Sequence, residues 1–382
     1  MKWEKAKIKD VCEGIYDGPH ATPPVSNDGA IFLGISNITQ DGHLDISNPK
    51  YIGEDDLPRW TKRVIPQGGD IVFSYEATLN LYAVIPDGFR GCLGRRMALI
   101  RPDETKVNGR FLYYYFFSEK WRSIVSENTV IGATVDRIPL IRFPDFLISF
   151  PSLEEQKAIV GILSAYDNMI ENNQKQIKLL EEAAQRLYKE WFVDLRFPGH
   201  ENTKIVDGVP EGWQQLLLDQ VAPILTGKKD ANFSTINGQY PFFTCAQIPL
   251  QAPAYSFDCN AVILAGNGDF NVKLYRGQFE AYQRTYVLSP KNKEMLFLLF
   301  HAVNTSIAKL AQGASGSTIK FLTKGMIASI PVYVPDTLIL KKFNEMSEAI
   351  QEQVENLKSM IAHATEARDR LLPKLMGGEI EM

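Results

Sequence analysis

The sequence predicts an α+β protein with two β-rich mixed domains, two long antiparallel coiled-coil helices and an internal pseudo-two-fold repeat. Three observations predict this fold. Apolar residues recur every three or four positions over two long stretches, short β-type runs bounded by Gly, Pro, Asn and Asp precede each stretch, and the second half of the 382-residue chain repeats the first. A 3.5-residue apolar period is typical of a helix that packs along another helix.

The first long helix is predicted within residues 152–198. Ser152 and Glu155 form an S-x-x-E capping box, and Pro151 prevents a helix from entering from the N-terminal side. An asparagine at a seam position commonly fixes the register of a coiled coil at some cost in stability. The seam residues are Ile159, Leu163, Ile170, Asn173, Ile177, Leu180 and Leu187.

The second long helix is predicted within residues 337–382. Its Leu357 stands where the first helix has Asn173. Two helices of similar length in one chain can pair antiparallel and hold the globular domains at opposite ends. The alternative is that each helix packs only on its own domain. The seam residues are Ile350, Val354, Leu357, Ile361 and Leu371.

The two halves of the chain are copies of each other. The segment GATV at Gly132 aligns with GSTI at Gly316, and the same spacing persists without a gap through both helices. Trp3 aligns with Trp213 at a wider spacing, so the first globular domain carries extra loop. Co-linear matches of this kind indicate a duplication. The predicted domains are 1–151, 152–198, 199–336 and 337–382.

Composition narrows the class of protein. The net charge of −4 argues against a chain that binds nucleic acid through its total charge, so local basic clusters matter more. No signal peptide and no apolar run long enough to span a membrane is visible. The four cysteines form no C-x-x-C pair. We therefore expect a cytoplasmic, reduced chain without a metal site.

Catalytic motifs are weak. Asp145 with Glu155 and Lys157 resembles a PD…ExK nuclease site, but the second copy has Ile339 at the position of Glu155. The NPKY segment lacks the second proline of an amino-methyltransferase motif, and the GNG segment lacks the third glycine and the helix of a dinucleotide site. We therefore expect no enzymatic activity from the chain alone.

Polar and basic residues recur on loops of both domains, and such side chains read base edges and grip phosphates. The alternative is that they are ordinary surface residues, so recurrence in both copies is the stronger argument. We also expect Arg276 to join the cluster in the second domain. The candidate nucleic-acid-binding residues are Tyr16, His20, Thr22, Arg95, Arg96 and Thr134 in the first domain, and Lys228, Lys229, Asn267, Asn271, Lys273, Arg284, Ser317, Thr318 and Lys320 in the second.

The chain resembles the specificity subunits of type I restriction–modification systems over its whole length. The stretch from FPSLEEQKAIVG to RLYKEWFVD resembles the central conserved helix of that family, and RDRLLPKLMGGEIEM resembles its C-terminal signature. The opening IYDGPHATPP followed by IFLGISNIT resembles many of its recognition domains. The second domain departs from that opening, because TGKKDANF stands where DGPHATP stood.

The resemblance implies a mechanism. Each globular domain would be a target-recognition domain that enters the major groove at one half of a split, asymmetric double-stranded DNA target, and the long helices would set the unread gap. The helices would bind two modification subunits, and restriction subunits would join them. S-adenosylmethionine, ATP and Mg²⁺ would be bound by these partners, and no cofactor by this chain. The alternatives are a related system with a fused nuclease–methyltransferase partner, and a coiled-coil scaffold that does not bind DNA.

Overall fold

A computed structural model of the chain describes residues 3–132, 134–268, 270–313 and 320–380. It divides into two compact units: unit 1 comprises Met1–Asn172 with Met360–Met382, and unit 2 comprises Asn173–Ser359. Each unit therefore contains one globular domain and a segment of each long helix. The boundaries predicted from the sequence divide the chain differently, because they treat each long helix as a region of its own. Those boundaries stay a prediction.

The described residues of unit 1 form small sheets around a core of aromatic side chains. A four-stranded sheet has the order β2-β8-β5-β6, a three-stranded sheet the order β4-β3-β7, and β1 pairs with β9. The elements are β1 (Glu4–Lys7), β2 (Cys12–Asp17), β3 (Ala30–Leu33), β4 (Lys50–Ile52), α1 (Leu57–Trp60), β5 (Ile71–Ser74), β6 (Tyr82–Val84), β7 (Gly91–Leu93), β8 (Met97–Pro102), α2 (Gly109–Tyr115), α3 (Glu119–Asn128) and β9 (Leu147–Phe150).

The aromatic core of unit 1 contains a buried hydrogen bond. Trp121 is fully buried, and its Nε1 donates to the Tyr82 hydroxyl at 2.8 Å, which satisfies the indole N–H away from water. Phe73 stacks on Phe143 with ring centroids 4.7 Å apart. All four residues of β5 are buried, because this strand lies between β8 and β6 and under the helices.

The first long helix, α4, spans Leu153–Tyr188 and continues as a π-helical turn over Lys189–Val193. Its 36 residues correspond to about 54 Å. The capping box predicted at its start is present, because the Ser152 backbone N–H donates to Glu155 Oε2 at 3.0 Å and the Glu155 N–H donates to Ser152 Oγ at 3.4 Å.

Unit 2 adds a six-stranded sheet of order β13-β18-β16-β17-β14-β15, the pair β12-β19 and a short hairpin of β10 and β11. The elements are β10 (Ile205–Val206), β11 (Val209–Pro210), β12 (Gln214–Leu217), α5 (Leu218–Val221), β13 (Ile224–Thr226), β14 (Tyr240–Phe243), β15 (Leu250–Ala252), β16 (Phe257–Ala265), β17 (Val272–Ala281), β18 (Thr285–Leu288), α6 (Leu296–Gly313), α7 (Lys324–Ala328), β19 (Pro331–Val334) and α8 (Thr337–Gly377).

The six-stranded sheet curls on itself. Lys229, just after β13, forms a parallel bridge with Tyr282, just after β17, although these strands are not neighbours in the ladder. A buried core of Phe243, Ile263 and Phe279 lies inside the curl. The ends of several strands therefore meet at one edge.

The internal repeat is visible in the backbone pairing. Glu4 pairs with Phe150 in unit 1, and Gln214 pairs with Val334 in unit 2, which are equivalent positions of the two copies. The next turn agrees as well: the Ile8 N–H donates to the Phe146 carbonyl at 3.0 Å, and the Leu218 N–H donates to the Ile330 carbonyl at 3.0 Å. The duplicated sequence thus folds twice in one register.

Within each unit the segments of the two long helices run antiparallel. In unit 1, Ile159 and Leu163 of α4 share a core with Leu375 of α8, while the later residue Asp167 meets the earlier residue Arg368. Of the seam residues, Ile159, Leu163, Ile170, Asn173 and Val354 are buried. The remaining seam residues, Ile177, Leu180, Leu187, Ile350, Leu357, Ile361 and Leu371, are half-buried.

Both helices depart from regular α-helical hydrogen bonding at equivalent positions. The π-helical turn of α4 begins at Lys189, and Pro373, the equivalent residue of the second copy, lies inside α8. Proline removes one backbone donor from a helix, and a π-turn widens it. In each copy, two adjacent side chains that follow are buried in a domain core: Trp191 with Phe192, and Leu375 with Met376.

A buried polar network joins the helices to the domain in unit 1. The Arg368 guanidinium donates to Asp167 Oδ1 at 3.0 Å, and the Tyr114 hydroxyl donates to Asp167 Oδ2 at 2.5 Å. The Asp167 and Arg368 side chains are 8% and 14% exposed. Burial, together with the neighbouring Asp167 carboxylate, raises the pKa of Tyr114, so its hydroxyl stays protonated as the donor.

Replacing Arg368 by methionine should destabilise unit 1 by about 3 kcal/mol, because it leaves the Asp167 carboxylate buried without its cation. Urea denaturation of the full chain measures the loss. Arg370→Met is the matched control, since Arg370 is 78% exposed in its pair with Glu366 and such pairs contribute less than about 1 kcal/mol. Equal losses in both variants would contradict the role of burial.

Acid should destabilise unit 2 through His301. This side chain is 4% exposed, and burial lowers its pKa to about 4 from the ordinary 6.5. Because the unfolded chain binds the proton first, the stability contributed by the neutral ring is complete above pH 6.5 and is lost as the pH falls to about 4. His301→Phe should flatten the denaturation midpoint against pH in this window, whereas His363→Phe, at an exposed position, should leave it sloped.

Candidate nucleic-acid interface

The loop after β2 in unit 1 is held by a carboxylate. Asp17 Oδ2 pairs with His20 Nε2 at 2.8 Å and with Arg63 Nη1 at 3.2 Å. The His20 side chain is 65% exposed, and Thr22 is exposed as well. Tyr16 differs, because it is half-buried and lies under the Arg101 guanidinium, whose carbon is 5.8 Å from the ring centroid. Within this loop, His20 and Thr22 are therefore the side chains available to a ligand.

The turn between β7 and β8 lies beside this loop. The Gly18 N–H donates to the Met97 carbonyl at 2.8 Å, and a Cβ added at Gly18 would lie 2.6 Å from the Gly94 carbonyl oxygen. Arg95 is exposed, and Arg96 forms an ion pair with Glu76 at 2.9 Å. The structure thus brings the two predicted loops of this domain together.

A third loop joins this edge through Glu76. The segment from Val130 to Arg137 forms a bridge at its base, Arg137 also bridges to Glu76, and the Ala77 N–H donates to the Asp136 carbonyl at 3.1 Å. Thr134 is exposed on this segment. The edge that carries His20, Thr22, Arg95, Arg96 and Thr134 is called rim 1 below.

Rim 1 also contains the strained backbone of unit 1. Among the described residues of the unit, the non-glycine residues with positive φ are Ala77 at 72°, Asn80 at 60° and Arg96 at 72°. Such a backbone costs Ala77 and Arg96 about 1 kcal/mol or more each, whereas asparagine adopts it readily, and strained positions cluster at functional sites. Strain at Ala77, which contacts the third loop, and at Arg96 is a second, independent reason to regard this edge as a binding surface.

In unit 2, the loop after β13 carries Lys228 and Lys229. Gly227 allows this loop to approach β17, because a Cβ there would lie 1.8 Å from the Ala281 carbonyl oxygen. Lys228 is exposed, whereas the Lys229 ammonium lies 4.3 Å from the Phe233 ring centroid. A ligand would therefore meet Lys228 first.

The turn between β17 and β18 lies against the turn after β16. The Gly266 N–H donates to the Arg284 carbonyl at 2.8 Å, which leaves the exposed Arg284 side chain outside. Asn267 forms a bridge with Phe321, next to the exposed Lys320. Ser317 and Thr318 lie outside the described residues.

Asn271 and Lys273 anchor the loop after β14 to the same edge. Asn271 Nδ2 donates to the Cys245 carbonyl and Lys273 Nζ to the Ala246 carbonyl, each at 2.9 Å. Burial lowers the pKa of Lys273. Asn271 and Lys273 therefore hold the loop in place, and the side chains that are exposed to a ligand are those of nearby residues. The edge formed by Lys228, Asn267, Arg284 and Lys320 with this loop is called rim 2.

Arg276 does not join rim 2, so its assignment to that cluster is corrected. Its guanidinium donates to both carboxylate oxygens of Glu348 on α8, at 2.6 and 2.8 Å, and lies 5.1 Å from the Phe297 ring centroid. The turn ends before Val272, where a long strand begins, and alternation along this strand places residue 276 on the same face as Val272 and Leu274, which pack on the core that contains α6 and α8 residues.

Sequence reasoning missed Arg63 and Arg137 in rim 1. Arg63 closes the loop after β2 by donating to the Gly18 carbonyl at 2.8 Å, and Arg137 is exposed at the base of the third loop. The Lys62-Arg63 pair before a proline turn was a usable signal for the first. Arg137 had no such signal, because its place depends on pairing with Glu76, distant in sequence.

Several cations on the two rims remain available to an anion. Within the described ranges, no ion pair engages Arg95, Arg137, Lys228, Arg284 or Lys320. Exposed arginine and lysine side chains bind phosphates, and arginine also reads guanine through two hydrogen bonds. In the part of the chain that the structure describes, no group of three His, Cys, Asp or Glu side chains is placed to hold a metal ion. No helix there is long and apolar enough to cross a membrane.

Replacing Gly227 by alanine should destabilise unit 2 by about 1–3 kcal/mol and displace the loop that carries Lys228, because the new Cβ overlaps the Ala281 carbonyl. Urea denaturation measures the stability. Gly325→Ala is the control, since a Cβ there meets nothing within 4 Å. A stable Gly227→Ala variant would show that the close approach is not required.

Comparison with known proteins identifies similar chains. Residues 1–182 and 210–359 match the family model described as type I restriction modification DNA specificity domain. The type I restriction enzyme EcoDI specificity subunit of Escherichia coli is 37% identical over 176 residues, which span 45% of this chain and 39% of that subunit. The MjaIX specificity subunit of Methanocaldococcus jannaschii is 24% identical over 100% of this chain and 94% of its own length.

A solved structure shares the fold. The crystal structure of the S subunit of a type I restriction-modification system from M. genitalium superposes with a TM-score of 0.59 at 16% sequence identity. The match covers 98% of this chain and 96% of that chain. The likeness extends over both globular domains and both long helices.

Proposed function

We infer the role of this chain from its family, because the chain belongs to the type I restriction–modification DNA specificity domain family, whose model matches it in both halves. The chain is a DNA-recognition subunit of a type I restriction–modification complex. We propose that rim 1 reads one half of a bipartite, asymmetric DNA target and rim 2 reads the other.

The observation that carries the assignment of the rims is their recurrence. Both copies of the repeat gather loops at one edge of a sheet and leave unpaired cations there, Arg95 and Arg137 in rim 1 and Lys228, Arg284 and Lys320 in rim 2. The residues themselves differ between the copies. Two scaffolds related by the repeat, with different loop side chains, are suited to reading two different half-sites.

The two rims together offer three kinds of contact. Arginine side chains such as Arg95 and Arg284 would pair with guanine edges, and Lys228 and Lys320 would neutralise phosphates. His20 and Thr22 would add hydrogen bonds at the first half-site. Because specificity in this scheme comes from loops on rigid sheets, each rim can change its sequence preference without changing the fold.

The helices would supply the remaining role. We propose that exposed faces of α4 and α8 bind two modification subunits, and that restriction subunits join the resulting complex. Methyl transfer with S-adenosylmethionine, and cleavage coupled to ATP and Mg²⁺, would be carried out by those partners. This chain would contribute no catalytic group: it positions the partners on DNA. We propose a cytoplasmic location, where the DNA and these partners meet.

A half-site-specific loss of recognition tests the proposal. Arg284→Ala should weaken recognition of one half-site, and Arg95→Ala the other, each by about 1–3 kcal/mol if the contact is a two-hydrogen-bond pair with guanine. The measurement is the methylated motif in DNA exposed to the complex assembled from this chain and its modification subunits. Arg59→Ala, at an exposed position of α1 outside both rims and both long helices, is the control.

Three outcomes decide the assignment. Relaxed sequence preference at one half-site, with the other unchanged, supports one rim for each half-site. Equal losses at both half-sites in either variant would contradict it. An unchanged motif in both variants would remove these two arginines from the interface.

A further inference from the structure

A groove of about 970 Å³ lies in unit 2 against α6 and between the segments of α4 and α8 in that unit. Its wall includes Phe297 and His301 from α6, Gln185 from α4, and Ser347 and Gln351 from α8. This volume is within the range of ligand-binding clefts. The groove adjoins rim 2 through Gln247, Ile248 and Pro249 of the loop after β14, but none of the exposed cations Lys228, Arg284 and Lys320 lines it.

Two buried polar side chains in this groove have no partner. Ser347 is 3% exposed and His301 is 4% exposed, and neither Ser347 Oγ nor His301 Nδ1 makes a hydrogen bond within the described residues. Leaving a buried polar atom unpaired costs about 1–3 kcal/mol. His301 nevertheless keeps one fixed orientation, because it stacks on Tyr188 at 5.7 Å and meets Phe343 edge-on.

The repeat identifies what occupies the equivalent surface in unit 1. Asn108 and Asn292, at equivalent positions of the two copies, both cap the helical segment that follows, so Tyr113 and Phe117 correspond to Phe297 and His301. The equivalent pocket in unit 1 measures about 500 Å³ and is lined by Tyr113, Phe117, Asp167, Arg368 and Asp369. The last three residues correspond to Gln351, Ala184 and Gln185.

In unit 1 a loop of the same chain covers that surface. The Tyr113 hydroxyl donates to the Gly42 carbonyl at 2.9 Å. A Cβ added at Gly42 would lie 2.4 Å from this hydroxyl and 2.6 Å from the Phe117 ring, so the loop rests directly on both side chains. The part of the loop that touches these side chains is backbone at a glycine, while the neighbouring Asp41 lines the pocket beside it.

We propose that the groove in unit 2 binds an uncharged loop of a partner protein, which takes the place that the loop around Gly42 has in unit 1. The neutral His301 ring and the Ser347 hydroxyl hydrogen-bond to backbone amide groups of that loop. We assign the loop to the modification subunit, and in this respect the proposal rests on the proposed function.

The chemistry of the groove favours a peptide over an ion. The mouth of the groove carries Lys178 and Lys358 together with Glu181 and Glu355. Because these charges balance, neither a polyanion nor a polycation is favoured. The interior presents neutral groups that donate and accept hydrogen bonds, and peptide groups require both. The aromatic wall at Phe297 suits the small apolar side chains of such a loop.

The repeat also supplies variants that fit the fold. Ser347→Leu introduces the residue found at the equivalent position, Leu163, and His301→Phe introduces that of Phe117. The double variant should lower the affinity of the purified modification subunit for the full chain at least tenfold, as measured by titration calorimetry. Thermal unfolding of the chain alone should be unchanged or shifted upward, because two unpaired polar groups are removed. Ser123→Leu, at an exposed position of α3, is the matched control.

Crosslinking identifies the occupant. A benzophenone-bearing amino acid in place of Asn304, which lines the groove, should crosslink to a loop of the modification subunit in the assembled complex, and mass spectrometry should locate that loop. A crosslink to DNA or to a second copy of this chain would overturn the proposal. Undiminished affinity of the stable double variant would overturn it as well.

Failure of the proposed function would look different. If the wild-type complex did not direct sequence-specific methylation, the proposed function would fail. The titration and the crosslink would still decide whether the groove takes a partner loop, since neither depends on methylation.

Discussion

Entry of both long helices into the globular cores is the constraint on which this molecule depends. In unit 1 the core contains Ile159 and Leu163 from α4 and Leu375 and Met376 from α8. In unit 2 it contains Phe192, which follows α4, and Phe343 from α8, among other helix residues. A domain whose core includes both helices cannot move along them without exposing apolar surface, which costs about 25 cal/mol for each Å².

The same constraint explains why the two rims can diverge while the scaffold is repeated. Pairing of Glu4 with Phe150 and of Gln214 with Val334 belongs to the part that closes on the helices, and its register is identical in the two copies. The loops of rims 1 and 2 lie on other strand ends, where their side chains carry little of the core. Substitutions in these loops therefore change the side chains at the sheet edge at small cost in stability.

Unit 1 and unit 2 solve the junction between helices and domain with different chemistry. Unit 1 uses Asp167 and Arg368 with Tyr114, and unit 2 has Gln351, Ala184 and Leu298 at the corresponding positions. A buried ion pair contributes more to a defined arrangement than to net stability, since desolvation offsets its attraction. Unit 2 instead attaches its sheet to α8 through Arg276 and Glu348, which are more exposed. In unit 2, where this network is absent, the groove beside His301 lies at the corresponding place.

The sequence by itself determined the periodic features: the helix seams, the capping box at Ser152, the duplication and the loops that carry Arg95 and Arg284. These depend on spacing along the chain, which one sequence displays directly. Only the tertiary structure decided which charges pair, because Asp167 and Arg368 are 201 residues apart and a seam pattern based on apolar residues passes over both. The tertiary structure likewise showed that Arg276 pairs with Glu348 of α8 and does not belong to rim 2. It also showed that His301 and Ser347 line one groove. Pairing and burial depend on contacts between segments that are distant in sequence, and the periodicity of one sequence does not reveal such contacts.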